Sequence, residues 1–106
     1  MSFHSTAQDI RVDDNHILRA RLQNNNGDWV DAEMDLNTCL ANNNGHFEWT
    51  GQGFSNSIQS MSFSIEGGAN VPILRAQLLN VEGQCCGADV NLAERIANED
   101  GRFVFI

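Results

Sequence analysis

The chain has 106 residues, a formal charge of −8, a single proline, and no lysine among its six lysine-plus-arginine positions. That length suits one domain, because a unit half its size buries too little surface to stand without staples. The acidic balance argues against nucleic acid and anionic membranes as partners, and with no long apolar run, membrane insertion is not expected. The opening MSFHSTAQ lacks a basic start and an apolar centre, so it does not read as a secretory signal. A cytoplasmic location is therefore expected, with export only by a non-classical route.

In chain order, Ser2–Asn15 is a polar opening containing a strand over Gln8–Val12. Ile17–Gln23 alternates, placing Leu18, Ala20 and Leu22 on one face and Arg19 and Arg21 on the other. Asn24-Asn25-Asn26-Gly27 predicts a hairpin, since Asn and Gly both tolerate positive φ, and Asp28–Met34 returns as a strand. Asp35–Leu40 predicts one helical turn, capped by Asp35, with Leu36 and Leu40 on one face. Asn44-Gly45 marks another hairpin, whose second strand carries Phe47 and Trp49. Thr50-Gly51-Gln52-Gly53 reads as a flexible joint. Beyond it come strands over Gln59–Ile65, Ile73–Leu79 and Gln84–Val90. Glu66–Asn70 is a surface loop, and Glu82-Gly83 a turn. Asn91 then caps a second helical turn, with Glu94 placed for a capping box and Leu92 and Ile96 inward. Asp100-Gly101 opens the last hairpin, bearing Phe103 and Phe105.

The order repeats because the sequence does. Ile17–Thr50 aligns without a gap on Ile73–Ile106, with 13 identities in 34 positions. Phe3–Ile10 resembles Phe54–Met61 in pattern. Residues 1–53 and 54–106 are thus two copies of one unit, mostly β, with five strands and a helical turn each. Cys39, Cys85 and Cys86 are odd in number and match no metal or thioredoxin spacing. They read as free thiols, against a disulfide from Cys39 to one of the pair; a bond between the adjacent cysteines would strain the peptide between them.

DLNTCLANNNGHFEW and its echo NLAERIANEDGRFVF, set in this twofold repeat, carry a resemblance. Over essentially its whole length the chain resembles the cyanovirin-N homology family of small lectins. The resemblance implies an elongated pseudo-twofold fold in which each sequence repeat supplies a three-stranded sheet and a β-hairpin with a short helical turn. The hairpin of one copy would cover the sheet of the other, giving halves 1–39 plus 91–106 and 40–90. It implies binding of mannose chains, α1-2 linkages favoured, on oligosaccharides or glycoproteins, without catalysis or cofactor. Where founding members carry disulfides, this chain has Ala7 with Leu22 and Ile58 with Leu78, which suits a reducing compartment.

Carried over by position, the favoured site comprises Ser2, His4, Ser5, Thr6, Gln23, Asn24, Asn25, Asn26, Asn98, Glu99 and Asp100. A weaker second site comprises Asn42, Asn43, Asn44, Gln52, Gly53, Asn56, Ser57, Asn80, Val81, Glu82 and Gly83. Short amides and hydroxyls on turns can donate and accept to the fixed hydroxyls of a sugar. Such turns also arise with no ligand, because Asn tolerates positive φ. Trp29 and Trp49 sit at core-like spacing. His4, His16 and His46 are scattered, so no metal is expected. Two alternatives to a lectin are a degenerate lectin serving as a protein-interaction module and a calcium-stabilised β module. The second rests on Asn42-x-Asn44-Gly45 and Asn98-x-Asp100-Gly101, neither of which reaches the glutamate a calcium loop needs. A polysaccharide-cleaving enzyme would need two separated carboxylates, whereas Glu99 and Asp100 are adjacent. A monomer is expected, with a domain-swapped dimer open to it.

Overall fold

The computed structural model describes residues 3–67 and 71–106, so Ser2 and positions 68–70 of the expected Glu66–Asn70 loop lie outside the described residues, while Glu66 itself ends a strand. The chain is mostly β and elongated, 50 × 27 × 22 Å. Each copy contributes a three-stranded antiparallel sheet. In the first, β1 (Ala7–Asp13), β2 (Ile17–Gln23) and β3 (Trp29–Asp35) pair in that order. It is followed by a hairpin of β4 (Leu40–Asn43) and β5 (His46–Trp49). The second copy repeats this with β6 (Ile58–Glu66), β7 (Val71–Leu79) and β8 (Cys85–Asn91), then the hairpin of β9 (Ile96–Glu99) and β10 (Arg102–Phe105).

The hairpins do not stay with their own sheets. The β4–β5 hairpin lies against β8 and the segment before β6, while β9–β10 lies against β3 and the segment before β1. One cluster of buried residues draws on both copies, including Phe3, Leu18, Leu22, Leu40, Phe54, Leu74, Leu92 and Ile96, each with no exposed surface.

The alternation in Ile17–Gln23 is realised: Leu18, Ala20 and Leu22 are buried. The polar opening is not an irregular segment. Phe3–Thr6 is a 3-10 turn, η1, matched by η3 at Phe54–Ser57. Each exists to sink one phenylalanine, and a single apolar residue leaves no periodicity to read. The predicted helical turns are also 3-10, η2 (Leu36–Thr38) and η4 (Leu92–Glu94). They are too short to reach Leu40 and Ile96, which are buried as the first residues of β4 and β9. Asp35 and Asn91 cap them by accepting the N–H of Asn37 and Ala93.

The joint Thr50–Gly53 is tied down, contrary to its composition. Thr50 N–H donates to the Cys39 carbonyl and Gly53 N–H to that of Asn37, both at 2.9 Å. A Cβ on Gly51 would come within 2.3 Å of Ala41 Cβ, so that glycine serves close packing. Thr50 sits at φ 73°, unusual for a β-branched residue.

All three cysteines are free. Ala7 faces Leu22 and Ile58 faces Leu78 as cross-strand partners. A buried leucine contributes about 1.5–3 kcal/mol, comparable to the roughly 2–4 kcal/mol of a typical disulfide. We expect reductant to leave the melting temperature unchanged; a fall of more than about 10 °C, roughly 1–3 kcal/mol, would expose a bridge. Burial, helped by Asp35, pushes the Cys39 thiol up to about 11. In native protein a thiol reagent should therefore label exposed Cys85 first and Cys39 only on unfolding.

His16 Nδ1 lies 2.8 Å from Asp35 Oδ1. Burial would raise the Asp35 carboxyl, but the bonds from His16 and the Asn37 N–H outweigh it and hold the group below its ordinary 3.8. Arg19, bonded to Asp13 at 3.0 Å, lowers that carboxyl likewise. The unfolded chain binds these protons more tightly. Their stabilisation is therefore complete above the ordinary carboxylate value and is lost as pH falls through the lower folded-state values. Asp35→Asn should lower the melting temperature at pH 7 and do so less at pH 3, while keeping the cap that Asn91 shows an amide can make. An equal loss at both pH values would contradict this.

Candidate functional site

The turns that organise the polar ends are of two kinds. At Asn44-Gly45 both residues have positive φ, 51° and 87°, and at Asp100-Gly101 51° and 86°. These are two-residue hairpin loops of the primed type. At Asn24–Gly27 only the glycine is left-handed, at φ 85°. Gly27 N–H donates to the Asn24 carbonyl at 3.0 Å, and Asn24 N–H to that of Asp28 at 2.9 Å. Asn26 therefore does not take the positive φ its pairing with glycine predicts; Asn24 supplies order through its side chain instead. Its Oδ1 accepts the N–H of Asn26 and of Asp28. Asn80 does the same for Glu82 and Gln84.

One asparagine in each half locks three separate stretches together. Asn98 Nδ2 donates to Thr6 Oγ1 at 2.8 Å and to the Gln23 carbonyl at 2.9 Å, and its Oδ1 accepts the Gly101 N–H at 2.9 Å. Asn42 repeats the pattern, donating to Ser57 Oγ at 2.7 Å and the Leu79 carbonyl at 2.8 Å, and accepting from Gly45 at 2.8 Å. The hairpin tips then cross to the facing turns. Asp100 Oδ1 accepts the Asn25 N–H at 2.9 Å, and Asn44 Oδ1 accepts the Val81 N–H at 3.0 Å.

The first predicted group is thus assembled from η1, the Gln23–Asn26 turn and the Asn98–Asp100 tip. Ser5 lies within η1. His4 is half-buried, its Nδ1 buried without a partner among the described residues. Asp100 has one oxygen committed to Asn25; its second makes no hydrogen bond among the described residues. The second group gathers around Asn42, Asn44, Ser57 and Asn80. There Val81, 85% exposed, offers only its backbone to bonding. Gln52 and Asn56 are exposed, and a Cβ on Gly53 would meet the Asn56 amide at 2.9 Å. Oxygens of the two loops with a calcium-like spacing are engaged: Asn42, Asn44, Asn98 and Asp100 each accept a backbone N–H.

Trp49 packs on the core and on Phe105, 5.8 Å between ring centroids. Trp29 is only half-buried at the start of β3 and is no part of that cluster. The glycines Gly45 and Gly101 escaped the sequence reading as site-builders. A Cβ at Gly101 would meet Val30 Cγ2 at 2.5 Å, and at Gly45 the Cys86 Sγ at 2.8 Å. Their repetition after Asn-x-x was the available signal.

The CVNH domain model matches residues 3–104. A cyanovirin-N homolog of Neurospora crassa is 44% identical over 107 positions, covering 97% of this chain and 96% of its own. The NMR structures of LKAMG, a designed cyanovirin-N homolog lectin, match with a TM-score of 0.93 at 41% identity, over 100% of both chains. Two sugar complexes share the fold at lower identity. Microvirin with mannobiose gives a TM-score of 0.88 at 24% identity, covering 99% of this chain and 98% of its own. A MoCVNH3 variant with (N-GlcNAc)4 gives 0.85 at 21%, covering 98% and 96%. On the family match and the Neurospora relative, this chain belongs to the cyanovirin-N homology family.

Proposed function

We propose that the protein is a lectin for mannose-type oligosaccharides, α1-2-linked mannose favoured, bound chiefly at the Thr6, Gln23–Asn26 and Asn98–Asp100 cluster. The observation that carries the reading is the Asn98 lock, which holds three polar stretches in one arrangement before any ligand arrives. Pre-formed donors and acceptors lose little entropy on binding. Each neutral bond nets only about 0.5–1.5 kcal/mol, so one cluster supports roughly millimolar to micromolar affinity. Asp100 adds a charge-assisted acceptor, worth about 1.5–3 kcal/mol. The mannobiose carried by Microvirin supports a mannose ligand, and the (N-GlcNAc)4 of the MoCVNH3 variant names the competitor to test. No catalytic step is assigned.

A glycan array, followed by NMR titration with α1-2-linked mannobiose and with (N-GlcNAc)4, tests this. Mannobiose should shift amides of residues 2–6, 23–27 and 97–101 first. Saturating shifts at 42–44, 52–57 and 80–83 instead would overturn the choice of site. Binding to the GlcNAc oligomer alone would overturn mannose, and binding to no glycan would overturn the lectin.

The informative variant is Asp100→Asn. Alanine would also remove the bond from Asn25 and force a positive φ on a residue that resists it. Asparagine keeps both, as Asn44 shows in the other half, and removes only the charge. We expect about a tenfold loss of mannobiose affinity with an unchanged melting temperature. Unchanged affinity would mean that Asp100 only shapes the turn.

A further inference from the structure

The two copies diverge in chemistry on the exposed face of their sheets. Across β6, β7 and β8, two cross-strand rows are exposed, Ser60–Gln77–Gly87 and Ser62–Arg75–Asp89. With the row between them and His46 and Phe47 of β5, they line a groove of about 730 Å³. That is the size of a small-molecule site, roughly 300–1,000 Å³.

The first sheet shows what the same frame looks like when filled. Its corresponding positions hold Arg11, Arg19, Arg21, Asp31 and Glu33. Arg19 bonds Asp13 and Glu33 at 3.0 Å each, and Arg21 approaches Asp31 at 3.8 Å. The depression there is about 420 Å³. In the second sheet Ser62 replaces Arg11, Gln77 replaces Arg21 and Gly87 replaces Asp31. Arg75 stays at the groove's edge, its guanidinium held by Glu66, to whose Oε1 it donates at 2.8 Å. A Cβ on Gly87 would meet nothing nearer than the Gln77 amide at 3.6 Å. Three charged side chains are gone and the space they occupied is open.

We propose that this groove is a further sugar subsite, taking the inner residues of a neutral oligosaccharide whose end is held by the Asn42–Asn44 and Asn80 turns. The proposal rests on the lectin reading. Gln77 lies three residues before Asn80, about 10 Å along the strand, and His46 two residues after Asn44, so the same two strands that line the groove run on into the turns. The chemistry fits a neutral polyol. Two hydroxyls and an amide donate and accept, Asp89 accepts, and the bare backbone at Gly87 admits a ring. Asp89 has no ion-pair partner among the described residues. With a formal charge of −8 behind it, it repels anionic sugars.

The test is NMR titration of the full chain with linear α1-2-linked mannobiose and mannotetraose. Mannotetraose should shift the amides of residues 46, 60–62, 75–77 and 87–89 as well as those of the turns, and mannobiose only the turns. The double variant Gln77→Arg with Gly87→Asp copies an Arg–Asp pair the first sheet already carries, so it should fold. It should abolish the groove shifts and weaken mannotetraose binding by the second half about tenfold, with mannobiose unaffected. A silent groove while turn amides shift, or a double variant that binds mannotetraose as wild type does, overturns this subsite and leaves the lectin standing. If neither sugar shifts any amide, the lectin reading fails and the subsite with it.

Discussion

Residues 1–53 expressed alone should give no folded monomer. In the intact chain the β1–β3 sheet is packed by β9–β10, and β4–β5 packs on β8. The fragment therefore has a sheet without its cover and a hairpin without its base. Phe3, Leu18, Leu22, Leu36 and Leu40, all fully buried in the whole protein, would each forfeit about 1.5–3 kcal/mol of burial. That sum reaches the whole stability of a small domain, about 5–15 kcal/mol. An unfolded chain, or a dimer in which two fragments cover each other, is the expected result by sizing and NMR. A dispersed spectrum from a monomeric fragment would show instead that 1–53 is a self-sufficient unit, and that the proposed halves 1–39 plus 91–106 and 40–90 are wrong. The intact chain should run as a monomer at micromolar concentration.

Asn98→Ala should be the most damaging single change at the first cluster. It strands Thr6 Oγ1, the Gln23 carbonyl and the Gly101 N–H, which Asn98 now joins at 2.8–2.9 Å. Three lost bonds at a part-buried position cost about 2–4 kcal/mol, or roughly 10–25 °C in melting temperature for a domain of this size. Mannobiose binding at that cluster should fall beyond detection while the second cluster still responds. Asn42→Ala should produce the mirror result. If Asn98→Ala keeps its sugar affinity, the lock does not organise the site.

Much of this was legible from the sequence because duplication prints the frame twice. Leu18, Ala20 and Leu22 declared their face by period two, and Asn44-Gly45 and Asp100-Gly101 declared their hairpins by the two left-handed residues such loops need. What was not legible has physical causes. The η1 and η3 turns bury one ring each and leave no pattern. The glycines of Thr50–Gly53 look like slack, but the need for Gly51 arises from Ala41, distant in sequence. The triple bonding of Asn42 and Asn98 joins residues up to 92 apart, so only the fold could show that these asparagines brace the turns as well as decorating them. The groove over Gly87 was hidden for a similar reason: its making is an absence of side chains, visible only against the filled sheet of the other copy.

The outer strands β1 and β6 each break register once, between Gln8 and Arg11 and between Ile58 and Ser60. At the first break Asp9 adopts φ 55°. An unpaired strand edge is a template on which a second molecule can add, and a kink in the ladder spoils that template. Charges at Asp9, Arg11 and Asp13 raise the cost of docking there. Each sheet's outer margin is thus interrupted once, which works against edge-to-edge addition of a second molecule.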